Sequence, residues 1–98
     1  MSAITQSPQH FEVEISAHAR RRWEKRSPQP QLDLRAAWSE AESVHYPSLK
    51  PPGELARYHR STDLVLIVAE DGAMTTCIPL SDRSPDEQQY VRNQVSDQ

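Results

Sequence analysis

The sequence predicts an α+β fold in which two N-terminal helices pack on one face of a small, twisted antiparallel sheet, in the element order β-α-α-β-β-β. Apolar residues recur at helical spacing through residues 17–46, and they recur with a period of two from residue 55 to residue 80. A proline-rich loop separates the two patterns. The chain has 98 residues, which leaves room for one domain with a modest core.

A short edge strand is predicted first, because residues 11–15 alternate between apolar and polar side chains. Ser16 then serves as the N-cap of a helix over residues 17–26, since its hydroxyl can accept a hydrogen bond from a backbone N–H of the first turn. A serine and two prolines within residues 27–30 end this helix.

A second helix is predicted from the N-cap Asp33 to near Tyr46 and Pro47. Its apolar residues recur at helical spacing: Leu34, Ala37, Trp38, Ala41 and Val44. Residues 47–53 hold three prolines and a glycine, so they are predicted to form a loop that changes the direction of the chain.

Three strands are predicted after the loop, over residues 55–59, 63–69 and 73–80. Short turns join them, so they should pair as an antiparallel meander. Gly72 lies in the second turn, where a tight hairpin requires a residue that tolerates positive φ.

Both ends of the chain are polar, so residues 1–10 are expected to be a flexible segment and residues 81–98 a polar, mobile or lightly docked tail. Residues 11–80 are then the single domain. The longest apolar run, residues 64–69, is too short to span a membrane, and no signal segment opens the chain. The single cysteine, Cys77, lies in an apolar strand pattern and is expected to be a buried, inert thiol. These features predict a cytoplasmic protein without membrane contact.

Charge is unevenly distributed along the chain. The net charge is −3, but residues 20–26 (RRRWEKR) carry five positive charges and one negative charge. That segment therefore has a net charge of +4, and the rest of the chain sums to −7. The sequence predicts a compact basic patch on an acidic body.

One stripe of the first helix carries residues suited to phosphate chemistry. His18, Arg22 and Arg26 recur every four residues and therefore share one helix face, beside an apolar stripe of Ala19 and Trp23. Arginine offers a planar fork that matches phosphate oxygens, and histidine can give or take a proton near neutral pH. RNA cleavage without a metal requires both functions. The alternative is a solvated cationic face without catalysis.

A second cluster is predicted on the sheet at Arg57, Tyr58, His59 and Arg60. Alternation places the side chains of Arg57 and His59 on one side of their strand and that of Tyr58 on the other. On the last strand, alternation groups Met74 with Thr76 and Ile78, and Thr75 with Cys77 and Pro79. One threonine hydroxyl is therefore expected to reach the same cleft as the two histidines. Trp23 and Trp38 are interpreted as the core contact between the helices rather than as a platform for stacking bases.

The sequence lacks the motifs of nucleotide-binding loops and of zinc sites. The chain has two glycines and therefore no glycine-rich phosphate loop, and it has neither an H-E-x-x-H motif nor a cysteine pair. No metal and no cofactor is expected. Glu40 and Glu42 are two positions apart on the predicted second helix, so their carboxylates should point in different directions.

The segment SAHARRRWEKR, residues 16–26, resembles the H-x-x-x-R-x-x-x-R helix that opens many small proteins of the RelE/ParE and barnase-like (BECR-type) toxin superfamily. The similarity extends over about residues 11–80. It implies a RelE-like fold and metal-independent ribonuclease activity of toxin type, on tRNA, mRNA or another RNA. It also implies restraint by a protein partner, an antitoxin or an immunity protein. The acidic balance of this chain argues for a free RNA such as tRNA, or for lost activity.

Carried over to this sequence, the resemblance implies a set of catalytic residues: His18, Arg22, Arg26, His59 and Thr76. Binding of the substrate phosphate is expected of Arg21, Arg57 and Arg60. Thr75 remains the alternative to Thr76. The leading hypothesis is thus an RNA-cleaving toxin. The alternatives are a non-catalytic module that binds nucleic acid or protein through the same basic face, and an interaction protein whose open sheet edge pairs with a partner.

Overall fold

A computed structural model describes residues 13–51 and 53–95; the flexible segment predicted for residues 1–10 and Phe11 of the first predicted strand lie outside these ranges. In chain order the elements are β1 Glu14–Ile15, α1 Ala17–Arg26, α2 Leu34–Glu40, β2 Glu42–Ser43, β3 Gly53–His59, β4 Leu64–Ala69, β5 Ala73–Pro79, a 3₁₀ turn Leu80–Asp82 and α3 Pro85–Asn93. The predicted α+β class is confirmed. Among the described residues, no helix has the length and apolar character needed to cross a membrane.

The described strands form a mixed sheet of five in the order β1-β5-β4-β3-β2. The predicted meander of β3, β4 and β5 is antiparallel and β2 adds to it in the same sense, whereas β1 runs parallel to β5. No hairpin joins β1 to β5, so nothing restricts that pair to the antiparallel arrangement. The prediction of a purely antiparallel sheet was therefore wrong at this edge.

Both faces of the sheet are covered, because β4 is buried along its whole length. On the face that we name the helix face, Leu64, Leu66 and Val68 pack with buried residues of α1 and α2. On the opposite face, which we name the α3 face, Val65 and Ile67 pack with a second set of buried residues: Tyr46, Ala56, Tyr58, Leu80, Val91 and Val95. The sheet thus separates two apolar cores, each closed by its own layer.

Helix α1 has the predicted bounds and the predicted cap. The Ser16 hydroxyl accepts a hydrogen bond of 3.0 Å from the backbone N–H of Ala19. The stripe of Ala19 and Trp23 is buried, and the Trp23 indole N–H donates to the carbonyl of Leu32 at 2.9 Å. Trp38 of α2 is buried in the same core, which confirms the interpretation of both tryptophans as core residues. Burial of this stripe turns the cationic residues of α1 outward.

Helix α2 ends at Glu40, six residues earlier than predicted. Ala41 is extended, and Glu42 and Ser43 pair with Tyr58 and Arg57 as a short strand. The apolar spacing that suggested a longer helix has another cause. Val44 and the residues after it bury their apolar side chains on the α3 face of the sheet, not along a helix.

A β-bulge at Thr75 changes which side chains of β5 share a face. Ile67 is opposite Thr76, but Val68 is opposite Met74, so Thr75 is an extra residue on its strand. Met74 and Cys77 consequently both lie in the core of the helix face. The predicted grouping of Met74 with Thr76 was therefore wrong, because simple alternation fails across a bulge.

Residues 81–98 were predicted to be a polar tail, yet residues 85–93 form α3. The Ser84 hydroxyl accepts a hydrogen bond from the backbone N–H of Glu87 at 3.2 Å, and Pro85 occupies the first turn, where its missing N–H costs nothing. Val91 is fully buried and Val95 is 3% exposed. Apart from these two valines, the residues from 81 to 95 are exposed or half-buried, so the composition of the segment remains polar.

Polar contacts also fix α3 to the sheet. The Gln94 carboxamide accepts from the backbone N–H of His45 at 2.8 Å and donates to its carbonyl at 2.9 Å, as a neighbouring strand would. Arg92 donates to Asp63 at 2.8 Å, and the same carboxylate accepts from the hydroxyl of Tyr58. Asp63 has a φ of 60°, a left-handed conformation that aspartate tolerates better than most residues.

If α3 closes the second core, Val91→Ala should lower the free energy of unfolding by about 2 kcal/mol, since it removes buried methyl groups and leaves a cavity. Gln89→Ala on the exposed side of the same helix should change it by less than about 0.5 kcal/mol. Urea unfolding measures both values. Equal, small effects of the two substitutions would contradict the docking of α3.

Candidate functional site

The outer face of α1 carries a concave cationic surface. A cavity of about 450 Å³ is lined there by His18, Arg21, Arg22, Glu24 and Lys25. We name this cavity, with its five lining residues, the α1 cavity. His18, Arg21 and Lys25 are exposed and Arg22 is half-buried. Three cations, one imidazole and the carboxylate of Glu24 therefore line a single volume that solvent can enter, and the cations outnumber the carboxylate.

His18 and Arg22 contact each other directly. The Nε of Arg22 donates to Nε2 of His18 over 3.3 Å. An arginine nitrogen can only donate, so Nε2 of His18 is the acceptor in this contact. The Nε2 lone pair of the exposed imidazole therefore points at the Arg22 guanidinium. An anionic ligand that binds this guanidinium can take it away from His18.

Arg22 and Arg26 lie near Cys77 of β5. Burial raises the pKa of the Cys77 thiol to about 11, and the two guanidiniums offset only part of that effect. The thiol is fully buried, as the sequence predicted. Arg26 is exposed, and the α1 cavity does not include it among its described lining residues.

His59 lies on the helix face, as alternation predicted, but it is 1% exposed. Its Nε2 is 2.8 Å from Oε1 of Glu40, and its Nδ1 is 2.8 Å from the hydroxyl oxygen of Thr62. Its ring centroid is 6.2 Å from that of Trp23. A cavity of about 230 Å³, which we name the His59 cavity, is lined by Glu40, Glu42, Tyr58, His59, Arg60 and Ser61.

The arginines of the sheet have protein partners. The guanidinium of Arg57 lies 4.3 Å from the centroid of the Trp38 ring and donates to the Trp38 carbonyl at 2.9 Å. Burial lowers the pKa of Arg57 below its usual value. Arg60 donates to the carbonyl of Val95, beyond the end of α3. Arg57 therefore connects α2 to the sheet, and Arg60 binds the segment that follows α3.

Thr76 lies on the α3 face, because the bulge at Thr75 shifts the register. Both threonines line a cavity of about 250 Å³ together with Tyr46, Leu49 and other residues of that face. The sheet separates them from α1. The expected cleft shared by His18, His59 and a threonine is therefore not formed: the two histidines line separate cavities on the helix side, and Thr76 faces away.

Among the lining residues that were not predicted site residues, Lys25 and Glu40 bear most directly on the chemistry. Lys25 follows Arg21 and Arg22 at helical spacing, so the spacing rule that selected His18 would also have selected it. Glu40 is 19 residues from His59 in sequence, and no local pattern marks their contact. No group of three or more metal-ligating side chains occurs within residues 13–51 and 53–95.

Because the thiol of Cys77 is buried and its pKa is about 11, roughly one molecule in 10³ carries the thiolate at pH 8. The native protein should therefore react with a thiol reagent such as DTNB very slowly, and the reaction should be complete within minutes after unfolding in guanidinium chloride. The absorbance of the thiol released from the reagent measures the reaction of both the native and the unfolded protein. Rapid stoichiometric reaction of the native protein would contradict the burial of Cys77.

Comparison with known families gives one informative result. The family model described as "Putative RelE superfamily toxin domain" matches residues 15–81, from the last residue of β1 into the 3₁₀ turn. Neither the curated proteins nor the solved structures provide a match. The matched region includes α1, α2 and strands β2 to β5, and it stops before α3. This agrees with the resemblance that the basic helix indicated. The chain belongs to the RelE superfamily toxin domain family.

Proposed function

We propose that this toxin domain binds the phosphates of RNA through the α1 cavity and cleaves the RNA backbone by metal-independent proton transfer. The observation that carries the proposal is the convergence of His18, Arg21, Arg22 and Lys25 on one open cavity. Membership of a toxin family supports it. The cationic segment lies on an otherwise acidic chain, so an anionic ligand is attracted most strongly to this face.

The chemistry needs few groups. The 2′-oxygen of RNA attacks the adjacent phosphorus and loses its proton to an acceptor, while the bond from phosphorus to the 5′-oxygen breaks and that oxygen gains a proton. Arg21, Arg22 and Lys25 can stabilise the extra negative charge on the phosphate. A phosphate that engages Arg22 frees Nε2 of His18, which is then available as a proton carrier. His59 is the second imidazole in the proposal.

A second candidate function is binding without cleavage. It is favoured by the separation of His18 and His59 into different cavities, since a shared catalytic cleft would bring both rings to one volume. Binding needs only the α1 cavity. In either case, an antitoxin or immunity protein that presents an acidic segment to α1 would compete with RNA for the same cations.

Cleavage of total RNA and of purified tRNA in EDTA separates these functions. His18→Ala should lower the cleavage rate by at least about 10²-fold, because it removes an acid–base group while the arginines remain. Arg20→Ala is the matched control, since it removes one charge from the same helix outside the cavity, and it should stay within a few-fold of wild type. Intact RNA with every version of the protein would contradict catalysis and leave the binding function.

The salt dependence of binding tests the cavity independently of cleavage. The logarithm of the association constant for a single-stranded RNA should fall linearly with the logarithm of salt concentration. Arg22→Ala should reduce the slope by about 0.7, the value for one lost phosphate contact on a single strand. Lys50→Ala, an exposed change on the α3 face, should leave the slope unchanged. Identical slopes for wild type and Arg22→Ala would place the RNA elsewhere.

A further inference from the structure

The His59 cavity contains a hydrogen-bonded chain that joins three elements of the fold. Glu40 is the last residue of α2, His59 is the last residue of β3, and Thr62 lies in the turn that follows. The side chain of Glu40 is 57% exposed and that of His59 is 2% exposed. Thr62 is 4% exposed. The chain therefore runs from a solvent-accessible carboxylate through a buried imidazole to a buried hydroxyl.

The chemistry of the partners determines where the protons lie. An ionised carboxylate only accepts, so Nε2 of His59 carries the proton that faces Glu40. In the neutral ring Nδ1 is then an acceptor, and the hydroxyl of Thr62 donates to it. Without these two partners, the neutral ring is free to exchange between its two tautomers.

Thr62 can also serve the other protonation states of the ring. Its hydroxyl oxygen is 3.5 Å from the carbonyl oxygen of His59, which gives the hydroxyl a second acceptor. When Nδ1 carries a proton, it can donate to the Thr62 oxygen while the hydroxyl turns to that carbonyl. The imidazole can therefore gain or lose a proton without leaving a buried polar atom unpaired, which would cost about 1 to 3 kcal/mol.

The surroundings add two charged groups to the same cavity. Glu42 approaches from β2, and Arg60 follows His59 in the turn. From α1 the neighbour of the ring is the uncharged indole of Trp23. Glu40 is the acidic group in direct contact with the ring. Its side chain is exposed at the end of α2, so a ligand can reach the carboxylate from solvent.

We propose that Glu40 and Thr62 are positioning residues that hold the His59 ring with its Nε2–H toward Glu40, which lines the His59 cavity, and that the protonated ring delivers the Nε2 proton to the leaving 5′-oxygen of RNA once that oxygen replaces the Glu40 carboxylate. The inference rests on the proposed ribonuclease function and adds two residues that the sequence did not mark. After transfer, the bond from hydrogen to Nε2 has broken and a bond from hydrogen to the 5′-oxygen has formed. The neutral ring keeps its proton on Nδ1, bonded to Thr62.

The test combines nitrogen-15 NMR of the full chain with RNA cleavage in EDTA. In wild type, the histidine nitrogen shifts should show the neutral ring of His59 mainly as the Nε2–H tautomer. Glu40→Gln should raise the population of the Nδ1–H tautomer, since a carboxamide can donate as well as accept. Thr62→Val, which keeps Glu40, should leave the Nε2–H tautomer in place but shift the Nδ1 resonance, because that nitrogen loses its hydrogen-bond donor, and Thr62→Ser, which keeps the hydroxyl, should restore the wild-type shift.

Cleavage should fall at least about tenfold in Glu40→Gln and in Thr62→Val, and it should stay within a few-fold of wild type in Thr62→Ser. Glu70→Gln is the charge-matched control, an exposed residue in the turn between β4 and β5. Thermal unfolding confirms that each variant is folded. A wild-type tautomer in Glu40→Gln, or equal losses in Thr62→Ser and Thr62→Val, would overturn the inference. Absence of cleavage by wild type would overturn the proposed ribonuclease function, whereas the tautomer populations would still decide the positioning of His59.

Discussion

The burial of β4 on both of its faces is the constraint on which the rest of this structure depends. All six of its residues are buried, so apolar side chains project in both directions and each set requires a cover. Helices α1 and α2 cover one face, and α3 with the segment after β2 covers the other. Because one stripe of α1 is buried against the sheet, the opposite stripe must face solvent. The cationic surface is therefore a consequence of how the core is closed.

The same division of the sheet determines which candidate residues can act together. His18, Arg21, Arg22 and Lys25 share the outer face of α1, whereas Thr76 lies across the sheet. His59 is on the helix side but buried, with both ring nitrogens bonded to side chains of the fold. The proposed phosphate binding thus needs one helix alone. Proton transfer by His59 depends on contacts among three elements, and it is the more demanding part of the proposed function.

Features that depend on local sequence were predicted well, whereas features that depend on contacts between residues far apart in sequence were missed. Helix α1 was predicted with its exact bounds, since a cap, an apolar stripe and terminal prolines are all encoded within 15 residues. The end of α2 was misplaced because apolar spacing continues into a segment that packs on the sheet. The bulge at Thr75 and the contact between Glu40 and His59 arise from pairing between strands and helices far apart in sequence. Helix α3 did carry a local signal, Ser84 followed by proline and two acidic residues, but its polar composition masked it.

RNA is proposed to bind this toxin domain at the outer face of α1. The most direct measurement is a titration of isotope-labelled protein with a short single-stranded RNA, followed by chemical-shift changes of backbone and side-chain nitrogens. If RNA binds there, the largest changes occur at His18, Arg21, Arg22 and Lys25, and Thr76 on the opposite face of the sheet is unaffected. Changes centred on the α3 face, with α1 unaffected, would contradict this proposal.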